Sequence, residues 1–85
     1  MRKPVNRKLL DKEMTRTLRR EMARHSVDLN EVEISFAHGV VRMHGRVRPI
    51  QGREETFHQD IHTLLTALRS RSGVRDVITE WDVVI

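Results

Sequence analysis

Apolar and polar residues alternate through Gly39-Val40-Val41-Arg42-Met43-His44-Gly45-Arg46-Val47, the period of a strand with one buried face. A second alternating run, Val32-Glu33-Ile34-Ser35-Phe36, lies just upstream. Between them, His38-Gly39 suits a two-residue hairpin turn, whose positions both need positive φ. Pairing Ala37 with Val40 sets Phe36 opposite Val41, Ile34 opposite Met43 and Val32 opposite Gly45 on one face. On the other face Ser35 meets Arg42, Glu33 meets His44 and Glu31 meets Arg46, so one register satisfies both the apolar and the charged side.

The remaining periodicity is helical, with a third strand at the end. Asn6 is a predicted cap for a helix running to about Arg24, and Leu10, Met14, Leu18 and Met22 fall within one arc of about 120° on it. The first strand is predicted over 29–37, and Pro49 and Gly52 end the second. Phe57, Ile61, Leu64, Leu65 and Leu68 then mark a second helix with a single apolar face, and Gly73 is the predicted C′ residue that closes it. A last strand over 74–85 turns Val77, Thr79, Trp81 and Val83 to one side. The order αββαβ predicts an α+β two-layer sandwich, with two helices on one face of a three-stranded mixed sheet. A right-handed crossover through the second helix makes the second and third strands parallel.

Two segments in this order carry a family likeness. Gly39-Val40-Val41-x-Met43-x-Gly45-x-Val47, followed after a helix by Gly73-Val74-x-x-Val77-x-x-x-Trp81-x-Val83, resembles the BON domain over residues 28–85. The resemblance implies an αββαβ fold and a non-catalytic module that binds phospholipid or attaches proteins to membranes and to one another. It implies no catalytic residues. Its glycines, Gly39, Gly45 and Gly73, carry over as structural positions, with His38 beside them in the turn.

Length and composition narrow the classes of function. A chain of 85 residues reads as one domain, expected over 6–85 after a frayed basic start at 1–5, and its core is too small to give up space for an enclosed substrate cavity. No enzyme, cofactor or small-molecule substrate is expected. The absence of cysteine excludes disulfides, thiolate metal sites and cysteine nucleophiles. Met1-Arg2-Lys3-Pro4 resembles the start of a secretory signal, yet only Leu9-Leu10 follows where a continuous apolar segment is needed. The expectation is a cytoplasmic protein peripheral to the membrane.

Charge singles out one element. Residues 1–25 hold nine Lys/Arg against three Asp/Glu, a balance of +6, while residues 26–85 hold seven against nine, a balance of −2. Lys8, Lys12, Arg16, Arg20 and Arg24 form an i, i+4 row joined by Arg19, and like charges at this spacing cost a helix roughly 0.2 to 0.5 kcal/mol per pair. Either Asp11, Glu13 and Glu21 neutralise the row from three residues away, or it meets a polyanion. Anionic phospholipid is the first candidate. Assembly with a partner protein or a second copy follows, through an outer-face patch of Val40, Ile78 and Val84 or through the second strand taken as an edge. Nucleic acid comes third, because Phe36, Phe57 and Trp81 all fall at core positions and leave no ring for base stacking. His58 and His62 have the i, i+4 spacing of a metal pair, with Asp60 and His44 conceivable as further ligands. The intervening Gln59 stands where the zinc-protease motif has its glutamate, and no metal is expected.

Overall fold

The computed structural model describes residues 7–85, with side chains from residue 9 onward. The fray expected at 1–5, the Asn6 cap and the Lys8 side chain lie outside the described residues. Helix α1 (Arg7–Ala23) leads into strands β1 (Val27–Ala37) and β2 (Val40–Pro49). A 3-10 turn (Glu54–Thr56) then opens helix α2 (Phe57–Arg69), and strand β3 (Asp76–Val83) closes the chain. The fold is α+β, two helices and one mixed sheet of order β1-β2-β3.

The hairpin adopts the register that its side chains dictate. Every pair from Glu31↔Arg46 to Ala37↔Val40 is as expected, and His38 and Gly39 turn the chain with φ of 54° and 81°. The Gly39 carbonyl then accepts hydrogen bonds from Arg75 N–H at 2.7 Å and Asp76 N–H at 3.3 Å, so the tip of the hairpin also fixes the start of β3. β2 and β3 pair in parallel from Val40↔Asp76 to Val47↔Val83. The second strand is therefore central rather than an edge. The hairpin takes one side of β2 and the crossover returns β3 to the other, which leaves β1 and β3 as the free edges.

β1 also begins two residues earlier than expected. Between Asp28↔Arg48 and Glu31↔Arg46, two residues of β1, Leu29 and Asn30, face Val47 alone, which is a β-bulge. The extra residue reverses the phase of the alternation, so that Val27 and Ile34 are both buried although seven residues separate them in sequence. The Asp28 carboxylate accepts the Asn30 N–H at 3.0 Å within the bulge. Gly45 sits on β2 across from this region with φ 111°, and a Cβ there would run into the Glu31 carbonyl oxygen. A residue with a side chain cannot take that place without moving β1.

The core has two lobes. Leu18, Met22, Ile34, Val41, Met43, Leu64, Leu68 and Val77 form the larger, and Val27, Val47 and Phe57 the smaller, with Leu29, Val32 and Trp81 packed against both. α1 packs on β1 and α2, while α2 lies across β3 and β1. Three expectations of burial or capping are corrected. Leu10 is 50% exposed, because the first turns of α1 run past the sheet and its apolar stripe is covered only from Met14 onward. Val83 is 45% exposed at the uncovered end of β3. Gly73 is not the C′ residue, since α2 is capped at Ser70 and Gly73 lies in the turn that follows, against Met14.

Candidate anion-binding face

The cationic row stands on α1 because Leu18 and Met22, 0% and 6% exposed, fix which side of the helix meets the core. Lys12, Arg16, Arg19, Arg20 and Arg24 are all exposed. Among the described residues none of the five forms an ion pair, although Glu13 lies three residues before Arg16 and Glu21 three before Arg24. Glu21 and Arg24 attract each other only at a distance, without an ion pair, for a visible reason. Glu21 turns the other way, its Oε1 accepting from Arg71 Nη2 at 2.7 Å and its Oε2 lying 2.8 Å from His25 Nε2. The hydrogen bond with His25, and then that with Arg71, hold the Glu21 carboxyl below its ordinary pKa. The pair also ties α1 to the turn after α2.

Four arginines elsewhere in the domain are matched, while Arg46, Arg69 and Arg75 have no ion pair among the described residues. On the outer face of the sheet the basic central strand lies between two acidic edge strands. Arg42 Nη1 donates to Glu80 Oε1 at 3.1 Å, Arg48 Nε donates to Glu31 Oε2 at 3.0 Å, and His44 lies 3.9 Å from Glu80. Beside α2, Arg53 bridges to Asp60 at 3.1 Å, and Thr56 Oγ1 donates to the same carboxylate at 2.8 Å. Those two hydrogen bonds, Arg53 first, keep Asp60 ionised below the usual range. His58 stacks at a tilt on Phe57, with ring centroids 5.6 Å apart. Among the described residues no group of three or more His, Cys, Asp and Glu is placed to hold a metal ion.

The three aliphatic residues expected to share a patch do not come together. Val40 pairs with Asp76 and Ile78 with Arg42, so these two are diagonal neighbours. Val84 stands six residues beyond Ile78, about 20 Å along the strand, with Glu80 and Asp82 between them on the same face. All three are half-buried.

Two features escape sequence reading. Leu9 is 51% exposed on the cationic side of α1, three residues before Lys12. The second is a groove of about 630 Å³ between the C-terminal half of α1 and β1, floored by Met22, Val27, Leu29, Val32 and Ile34, with Ile50 on its far wall and Arg19 at its lip. Arg19 also lines a depression of about 330 Å³ with Lys12, Thr15 and Arg16. The bulge that shapes the β1 wall is marked in the sequence only by the change of phase between Val27, Leu29 and Val32, Ile34, Phe36, most of which falls before or at the start of the strand expected over 29–37.

The fold and this face define a small two-layer α+β module with a one-sided cationic helix. In comparisons with known proteins, no family model matches the chain and no curated protein matches it. Among the described residues no helix is long and apolar enough to cross a membrane.

Proposed function

We propose that this domain is a non-catalytic binding module that docks on anionic phospholipid membrane through the outer side of α1. The observation that carries the reading is the clustering on α1 of Lys12, Arg16, Arg19, Arg20 and Arg24, all exposed and with no ion pair among the described residues; elsewhere Arg42, Arg48, Arg53 and Arg71 each have a carboxylate, and the unpaired Arg46, Arg69 and Arg75 are scattered over β2, α2 and the segment before β3. Near an anionic leaflet each Lys or Arg contributes about 1 kcal/mol, so five support reversible, salt-sensitive attachment. The likeness to BON domains supports the same class of role. Leu9 and Leu10 add apolar contact at the end of the helix that runs past the sheet, while Leu18 and Met22 stay in the core. In this reading the protein is peripheral to a membrane that it does not cross. Nucleic acid is the weaker polyanion, since Phe57 is 1% exposed and Phe36 and Trp81 are half-buried, leaving no open ring for stacking.

Co-sedimentation with phosphatidylglycerol-containing and pure phosphatidylcholine vesicles, at low and high salt, tests the proposal. Binding to the anionic vesicles that salt reverses is expected. Equal binding to both kinds would end it.

A second reading, assembly, is favoured by the free edge of β3, where Val83 and Ile85 are 45% and 80% exposed beside the half-buried Trp81. A solution mass that rises with concentration is its expected sign, and a constant monomer mass would remove it.

A further inference from the structure

We infer that the groove between α1 and β1 takes one acyl chain of an anionic phospholipid whose headgroup sits on the Lys12, Arg16 and Arg19 flank of the helix. The inference rests on the membrane reading above and narrows it from a charged surface to a single lipid molecule. Its starting point is that this groove and the depression beside Lys12 share Arg19. Lys12, Arg16, Arg19 and Ala23 follow one another at i, i+4, i+7 and i+11, so the cationic depression leads along one flank of α1 to the lip of the groove. At 100° per residue, Asp11 and Glu13 lie about 100° from the centre of that flank and Glu21 about 180°. No carboxylate of the helix faces an anion placed there.

The groove has the chemistry of a chain site. Met22, Val27 and Ile34, 5–8% exposed, make an apolar floor that half-buried Leu29 and Val32 continue, the 39% exposed Ile50 stands on the far side, and polar residues such as Asn30 and Gln51 share the lining. Its 630 Å³ lies within the range of small-ligand sites. Ala23 at the lip is exposed and small, which keeps the entrance clear. The Asp28 carboxylate lies on the β1 wall, so an anionic headgroup is repelled from the strand toward the three cations of the helix. Apolar floor and cationic lip together call for an anionic amphiphile, and the bilayer of the preceding proposal supplies one.

The test is an amide NMR titration with dioctanoyl phosphatidylglycerol below its micelle concentration, beside dioctanoyl phosphatidylcholine, octanoate and glycerol 3-phosphate. Saturable shifts are expected both along 12–19 and at Leu29, Val32 and Ile50 with the first probe, and along 12–19 alone with glycerol 3-phosphate. Lengthening each chain by two methylenes, of which one chain's pair enters the groove, should tighten binding roughly tenfold until the groove is full. Ala23→Trp, which blocks the entrance, and Ile50→Asp, which charges the far wall, should each weaken dioctanoyl phosphatidylglycerol roughly tenfold or more while keeping low-salt attachment to anionic vesicles. Both sites are exposed, and the amide spectrum reports whether each variant is folded. Shifts confined to the flank, or unchanged affinity in both variants, would overturn the groove inference and leave the membrane proposal standing. Equal groove shifts with octanoate or with phosphatidylcholine would overturn the assignment to anionic phospholipid. Failure of the unaltered protein to prefer anionic vesicles would remove both.

Discussion

Gly45 and Glu21 show how single residues set the geometry. Gly45 is legible in the sequence as an interruption of an alternating strand, and its cause is a carbonyl on another strand that no local pattern announces. Gly45→Ala must relieve both a positive φ and the collision with Glu31, so it should lose about 2 kcal/mol or more in denaturant unfolding, well beyond a surface substitution. Spacing on one helix offers Glu21 to Arg24, while Arg71, fifty residues away, is not visible to it. Its folded pKa is depressed, so its stabilisation is complete above the ordinary value of 4.5 and is lost as pH falls through the lower folded value. Glu21→Gln should therefore cost about 1 kcal/mol at neutral pH, with the gap to the unaltered protein closing under acid in pH-dependent unfolding curves.

At the scale of the element, the hairpin and α1 differ in how far their sequences reach. The hairpin register follows from cross-strand pairs that are near in sequence, and both faces agree on it. The central place of β2 depends on which side of the hairpin the crossover lands, which periodicity does not encode. α1 reads as one apolar stripe from Leu10 to Met22, yet burial grows along it, from 50% exposure at Leu10 to 0% at Leu18. The stripe is a single pattern divided between two surroundings. Leu18→Ala should lose about 3 kcal/mol by leaving a cavity, whereas Leu10→Ser should stay within about 0.5 kcal/mol, both read from thermal or denaturant unfolding. Equal losses would mean that the helix is covered along its whole length.

The whole molecule is elongated, 55 × 20 × 17 Å, with a radius of gyration of 14.2 Å against about 12 Å for a globular chain of this length. Elongation comes from the long hairpin and from a helix that passes the end of the sheet. Charge is distributed on the same plan. On the sheet Arg42 and Arg48 have flanking acids and Arg46 has no ion pair among the described residues, while α1 gathers five exposed cations without one. The row is legible as spacing; that no ion pair forms on it among the described residues depends on side-chain directions, such as that of Glu21 toward Arg71, which spacing does not give.

Charge reversal at two places separates position from net charge most directly. Arg16→Glu with Arg20→Glu, and Arg46→Glu with Arg69→Glu, change the net charge equally, but the first pair lies on α1 and the second on β2 and α2. In co-sedimentation with phosphatidylglycerol vesicles at low salt, the first variant should lose at least about a hundredfold in affinity and the second should stay within about tenfold of the unaltered protein. Equal losses in the two, or none in the first while its fold is intact, would contradict the assignment of the anionic contact to α1.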